Sequence, residues 1–172
     1  ELLLALEAMN DSNIVLLVIG STNFGARDCY PFEKKIQQKC EKMADRVRFT
    51  GFIHNDELWK YYQLADVAVL PSVWEEPAGL TMIEAVASGV PVVSTISGGI
   101  PEYISDNCGI LVKRDAELIP SLIKPIRNIL DNRKEWAQKI IAGREEIRNL
   151  YSEEAFYQRF INVLNTKGSR QY

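Results

Sequence analysis

Two carboxylates in one short stretch, Glu76 and Glu84 with seven residues between them, offer the clearest chemistry in this sequence. They lie in Ser72-Val73-Trp74-Glu75-Glu76-Pro77-Ala78-Gly79-Leu80-Thr81-Met82-Ile83-Glu84-Ala85. Glu84 is the sole charge between Glu76 and Glu102, and Leu80, Met82, Ile83, Ala85, Val86 and Ala87 surround it. A helix apolar on nearly all sides is expected to be buried, and a buried carboxylate needs a partner. The hydroxyls of a ligand would supply one. A helix predicted from about Ala78 to Ser88 would open with the free N–H groups of Ala78, Gly79, Leu80 and Thr81, which form a ready anion site. Pro77 then sits where its missing N–H does no harm, and Gly79 allows a ligand close to the backbone. Phosphate donors, two carboxylates for hydroxyls and the Thr81 hydroxyl together suit a sugar nucleotide. An acidic residue near a helix start can also simply complement the helix dipole. That is the simpler reading of Glu75, and for Glu76 taken alone it weighs equally.

The elements that must hold this stretch follow from alternating periods. The continuous apolar run Ile14–Ile19, closed by Gly20, reads as a strand buried on both faces in a parallel sheet. Val47–Thr50, Val67–Leu70, Pro91–Ser94 and Cys108–Val112 are four more short strands. Helical patterns separate them: Leu2–Met9, Pro31–Ala44, a helix capped by Asn55 or Asp56 and running to about Leu64, Ala78–Ser88 ending at Gly89, and one turn from Pro101. Three helices close the chain, near Ala116–Leu130, Arg133–Leu150 and Glu153–Leu164, and the tail from Lys167 to Arg170 is expected to fray. Strands alternating with helices predict an α/β fold, a doubly wound parallel sheet with right-handed crossovers. Ligands in such sheets bind at the carboxyl ends of the strands. Those ends here carry Gly20–Asn23 within a polar loop reaching Asp28, Gly51–His54, Pro71–Gly79 and Thr95–Gly99.

Composition narrows the classes. The chain has 172 residues, is 47% hydrophobic and 25% charged, and has a net charge of -3. That is one core-forming domain, too apolar for disorder and without the basic face of a nucleic-acid binder. No apolar run reaches the roughly 20 residues of a membrane span. Cys29, Cys40 and Cys108 form no close pair, and their odd count reads as free thiols in a reducing compartment. With His54 the single histidine, neither a histidine-rich metal site nor a Ser-His-Asp triad is expected.

The stretches Ala65–Ser72, Glu76–Leu80, Ile83–Ala85, Gly89–Val93 and Gly98–Glu102, in this order, resemble the carboxyl-terminal domain of a retaining glycosyltransferase of family 4, the glycosyl transferases group 1, with the GT-B fold. The likeness runs from about Ile14 to Val112 and continues less specifically into the helices. It implies that Glu76 acts at the anomeric centre as the catalytic glutamate, binding donor-sugar hydroxyls. By the same likeness, the backbone N–H groups of Ala78, Gly79 and Leu80 bind the sugar and diphosphate, Thr81 donates to a phosphate, and Glu84 accepts from the ribose. Phe52 and Ile53 fall where nucleobase contacts arise, largely through backbone, while Gly98 and Gly99 either approach the donor sugar or simply turn the chain. The resemblance implies a nucleotide-diphosphate sugar as donor substrate, a UDP-sugar by prior, with no cofactor and no metal. The acceptor would be a carbohydrate, a lipid-linked molecule or a protein, and the location the cytoplasm, with the inner membrane face open as an alternative.

One departure shapes the expectation. The family's first strand, with a glycine-rich turn and an Arg and a Lys for the diphosphate, would precede Leu2, and an amino-terminal acceptor domain would precede that. Residues 1–172 then read as a single donor-binding domain truncated at its start and inactive alone, with 113–165 as its helical segment. In a doubly wound order the absent strand would lie between 14–19 and 67–70. Those strands must then pair directly, accept a strand from elsewhere, or be completed by residues before Glu1, the last being the favoured expectation.

The remaining residues have plainer readings. His54 reads as an exposed loop residue ahead of a neighbour of the base, Glu102 as bonding locally at its helix start ahead of lining the cleft, and Trp59, Tyr61 and Tyr62 as packing ahead of a sugar platform. Trp136 and the Phe156/Phe160 pair belong to a core or an interface, and Arg144, Arg148 and Arg159 form a solvated face. A dehydrogenase would need G-x-G-x-x-G after a strand, and Gly20–Gly25 lacks the middle glycine. A sugar-nucleotide epimerase of GT-B fold and a non-catalytic sugar-nucleotide-binding module remain as alternatives.

Overall fold

A computed structural model of the chain describes residues 1–21 and 31–168. Cys29 and residues 22–28 of the first strand's exit loop lie outside the described residues. The element order is α1 (Leu2–Met9), β1 (Leu16–Val18), α2 (Pro31–Cys40) with a 3-10 turn at Glu41–Met43, β2 (Val47–Phe49), α3 (Asn55–Tyr62), β3 (Ala68–Leu70) and α4 (Leu80–Ala87). There follow β4 (Val92–Thr95), α5 (Ile100–Tyr103), β5 (Gly109–Val112), α6 (Leu118–Asp131), α7 (Arg133–Tyr151) and α8 (Glu153–Gly168). All five anticipated strands are present. The last helix continues to Gly168, past the point where fraying was expected.

All pairings between these strands are parallel, with β1 on β2 and β4 between β3 and β5. The two ladders are separate, so direct pairing of β1 with β3 is not the resolution the chain adopts. Strand side chains alternate between two apolar layers. Val67, Val69 and Val93 face a cluster built on α1 and α6 with Ala5, Leu6, Leu122, Ile126 and Ile129. Ala68, Leu70 and Val92 face a second cluster with Met82, Ala85 and Val86 of α4 and Ile140 and Ile147 of α7. Helices therefore cover both sides of a parallel α/β sheet. Trp136 is buried as expected, whereas Phe156 and Phe160 stack on each other and are exposed. No helix among the described residues is long and apolar enough to cross a membrane. Cys40 and Cys108 are free and buried, and burial pushes the Cys40 thiol up.

Polar ties fasten the helices to the layers. The Arg127 guanidinium of α6 donates to Asp11 (2.7 Å) and to the Met9 carbonyl at the end of α1 (2.9 Å). Glu146 of α7 accepts from Ser105 (2.5 Å) and Asn107 (2.6 Å) before β5. Arg144 is not merely solvated, since its Nε donates to the Ala87 carbonyl at the end of α4 (3.1 Å). The Asn13 N–H and then Arg127 hold Asp11 below its usual 3.8, and Ser105 and then Asn107 hold Glu146 below 4.5. A carboxylate whose folded value is depressed stabilises the fold above its ordinary value and loses that contribution as pH falls through the depressed one. The thermal midpoint should thus be level above pH 4.5 and fall in more acid buffer. Melting curves from pH 7 to pH 3 check this, and a midpoint that rose on acidification would contradict it.

Candidate functional site

Three hydroxyls extend the β3–β4 pairing beyond the strands. Ser94 donates to the Leu70 carbonyl (2.6 Å), Thr95 to the Ser72 carbonyl (2.6 Å) and Ser97 to the Trp74 carbonyl. All three side chains are buried, so their hydroxyls must be bonded, and each takes an alternate carbonyl of the exit from β3. The loop from Pro71 to Gly79 is in this way fixed against β4 as though it were more strand.

The loop after β4 completes the fixation at Glu76. The Gly99 N–H donates to the Glu76 carbonyl (2.9 Å). Gly98 has φ +52°, and a Cβ there would meet the Glu76 backbone nitrogen at 2.7 Å, so glycine is required. Glu76 is half-buried, yet the fold holds it through its backbone. No hydrogen bond of its carboxylate is found among the described residues, which leaves both oxygens available to a ligand. Gly98 and Gly99 are accordingly more than a turn in the chain, because they set where Glu76 stands.

Helix α4 begins two residues later than the spacing suggests. Gly79 is its N-cap residue, and the Leu80 N–H turns back onto the Ala78 carbonyl (2.8 Å). Pro77 is therefore outside the helix, and the Leu80 N–H is already bonded. Ala78, Leu80 and Thr81 are exposed, and Gly79 is buried against Met82, whose Sδ would lie 3.0 Å from an added Cβ. Glu84 is exposed as well, against the expectation of a buried carboxylate. The helix buries Met82, Ala85 and Val86, and helical spacing sets Leu80, Thr81, Glu84 and Ala87 on the opposite stripe, where all four are exposed. Glu84 thus lies one turn from the helix start on the same open face.

Tyr62 packs against the second cluster, as the sequence suggests, and also meets Glu84, a contact the sequence reading did not include. Its hydroxyl reaches from α3 to Glu84 Oε2 (3.4 Å) and to the Thr81 carbonyl (3.3 Å). Burial, and then the neighbouring Glu84 charge, push the phenol up to about 12. It therefore remains a donor at neutral pH and orients the Glu84 carboxylate. Trp59, read with it as packing, is instead exposed.

Glu75 also departs from the simple reading, because it does not sit at a helix start. Its Oε2 accepts the Gly98 N–H (2.7 Å), and its Oε1 pairs with Arg114 after β5. The Gly98 N–H, and then Arg114, hold this carboxyl below the usual range. The bond found at Glu102 is not the local one expected of its side chain: its backbone carbonyl accepts from Tyr151 on α7 (2.8 Å). His54 is exposed, precedes α3 and faces Asp56 (3.1 Å). The expected caps Asn55 and Asp56 lie inside α3, whose first turn carries no side-chain cap.

The structure therefore brings Glu76, Gly98 and Gly99 into direct contact, with Ala78 to Thr81 and Glu84 following on one segment. Phe52 and Ile53 follow β2, in the other ladder. Phe52 is exposed and Ile53 partly buried. A cavity of about 410 Å³ lies apart from all of these, lined by Ile104, Asp106, Asn128, Trp136 and Lys139 among others. Among the described residues no group of three or more acidic, histidine or cysteine side chains could hold a metal ion.

Known proteins resemble the chain in the same terms. It is 26% identical over 151 residues to the Bacillus subtilis spore coat protein SA, covering 88% of this chain and 40% of that protein. It is 34% identical over 119 residues to a GDP-mannose-dependent phosphatidylinositol monomannoside mannosyltransferase of Mycobacterium tuberculosis, covering 65% of this chain and 30% of the relative. Sucrose-phosphate synthase of Thermosynechococcus elongatus superposes with a TM-score of 0.81 at 28% identity, over 99% of this chain and 42% of that one. The Anabaena protein Alr3699/HepE, solved with UDP, superposes at 0.78 with 22% identity, over 94% of this chain and 43% of that one, a likeness of fold. The chain thus spans less than half the length of these relatives. The profile of the family described as Glycosyl transferases group 1 matches residues 1–146, and the chain belongs to that family.

Proposed function

We propose that residues 1–172 are the donor-binding unit of a retaining family 4 glycosyltransferase, with 113–165 as its helical segment. In the full-length enzyme it binds a nucleotide-diphosphate sugar, from which the sugar is transferred with retention to an acceptor held mainly by another domain. The observation that carries this reading is the arrangement of the two glutamates. Glu76 is anchored by its backbone with its carboxylate free of the described residues, and Glu84 is presented by Tyr62 on the open face of α4. The diphosphate lies at the N–H groups of Ala78, Gly79 and Thr81, where the partial positive charge of a helix start favours it. Leu80 contributes less than the resemblance implies, its N–H being bonded to Ala78. Glu84 takes the ribose hydroxyls, Glu76 the donor sugar, and Phe52 and Ile53 the base.

The donor is proposed to be a UDP-sugar. The neighbours solved with UDP and UDP-glucose support the class, and the mannosyltransferase relatives support a nucleotide sugar more broadly. The reaction is placed in the cytoplasm, at the inner membrane face when the acceptor is lipid-linked, and it proceeds without a metal cofactor.

Removing a hydrogen bond to a charged group costs roughly 1.5–3 kcal/mol. Glu84→Ala should weaken UDP binding about ten- to a hundredfold on that scale. Calorimetric titration of the chain with UDP, GDP and ADP, with and without chelator, checks both base and metal dependence. Equal UDP affinity in wild type and variant would remove Glu84 from the site.

A further inference from the structure

Arg114 and Glu75 have no assigned role, yet they join the three loops that leave β3, β4 and β5. Arg114 stands two residues beyond β5. One of its terminal nitrogens pairs with Glu75 Oε1 on the β3 loop, and the other donates to Ser97 Oγ on the β4 loop (3.2 Å). The second Glu75 oxygen accepts the Gly98 N–H (2.7 Å), and the Ser97 hydroxyl donates a hydrogen bond to the Trp74 carbonyl. Both carboxylate oxygens are therefore engaged, each by a different loop. The next residue along each loop makes the contact that matters at the site, from the Gly99 N–H to the Glu76 carbonyl (2.9 Å). The Glu75 side chain and the Glu76 backbone thus grip two consecutive amides of one turn.

We propose that Glu75 and Arg114 are positioning residues of the donor site, an ion-paired clamp that locks the Gly98–Gly99 turn onto the Glu76 backbone and so sets the Glu76 carboxylate against the donor sugar. The consequence at the sugar rests on the donor-site reading above, whereas the clamp itself rests on the hydrogen bonds. The side chain of Arg114 is 32% exposed and that of Glu75 is 68% exposed. Such a pair contributes little to global stability. Its effect is geometric, because Gly98, a glycine with many accessible conformations, is held in one left-handed conformation. The sugar, which Glu76 meets, should feel the clamp, and the nucleotide, which Glu84 meets on α4, should not.

The test uses Arg114→Met, Glu75→Gln and Arg114→Lys in the 172-residue chain, with amide exchange read by NMR and with UDP and UDP-glucose as calorimetric probes. In Arg114→Met and Glu75→Gln, the Gly98 and Gly99 amides should exchange about tenfold faster while Val93 within β4 is unchanged, the signature of local opening. UDP affinity should stay within about twofold of wild type while UDP-glucose affinity falls about tenfold, as expected when only the sugar contact is misplaced. Arg114→Lys keeps a cation for Glu75 but no second nitrogen for Ser97, and should recover part of both effects. Unchanged exchange at Gly98 and Gly99, or an equal loss of UDP and UDP-glucose affinity, would overturn the clamp. If the wild-type chain binds neither probe, the donor-site reading fails instead, and the exchange rates alone decide whether the clamp exists.

Discussion

Glu76→Ala is expected to lower the turnover of the full-length enzyme about a hundredfold or more, the scale reached when a group that positions reacting atoms is lost. The expectation follows from how Glu76 is held. Its carbonyl accepts the Gly99 N–H and its backbone lies against Gly98, contacts that alanine keeps. The carboxylate makes no hydrogen bond among the described residues, so truncation should leave the loop in place and the thermal midpoint unchanged. What is lost is the group that the proposed function sets against the donor sugar, and the loss should appear in kcat with UDP affinity preserved. Glu84→Ala should do the converse, losing nucleotide affinity first. Transfer from a radiolabelled UDP-sugar, followed with the two variants side by side, separates them. Wild-type turnover in Glu76→Ala would show that the spacing of the two glutamates has no catalytic meaning here.

Gly109→Ala should cost about 2–4 kcal/mol, as overpacking against groups that cannot rotate away does. Gly109, the first residue of β5, pairs with Val92, the first residue of the middle strand β4. A Cβ there would run into the Val92 carbonyl oxygen, with the carbonyl carbon at 2.8 Å and the nitrogen at 3.0 Å. All three are backbone atoms, so β4 and β5 would have to separate. Separation strains the Val92 N–H bond to Cys108 (3.0 Å) and the apolar layers on both faces. A domain of this size loses roughly 2–4 °C of thermal midpoint per kcal/mol, so a fall of about 4–16 °C is expected. A midpoint within about 2 °C of wild type would mean that the two strands are not packed as described.

The sequence by itself determined every element and the order of the motifs. Ile14–Ile19 and Val67–Leu70 are apolar runs bounded by Gly20 and Pro71, and they form strands as expected, although β1 and β3 are only partly buried and Val15 is exposed. The seven-residue spacing of Glu76 and Glu84 and the small residues between them were equally legible, because helix starts and strand exits are decided within a few residues. The tertiary structure decided what those residues touch. Whether Glu84 is covered depends on which stripe of α4 meets α7 and the sheet, and a run of apolar residues around it does not say. The late start of α4 depends on the conformation at Gly79 and the turn of Leu80 onto Ala78. The separation of β1–β2 from β3–β4–β5 is a matter of strand order, to which local periodicity is blind. Tyr62 meets Glu84 across 22 residues, and Arg114 meets Glu75 across 39. The first distance closes because α3 and α4 pack side by side, the second because parallel strands in fixed register deliver their exit loops to one edge. Hydrogen bonds between such loops are a property of that register and of no single segment of the chain.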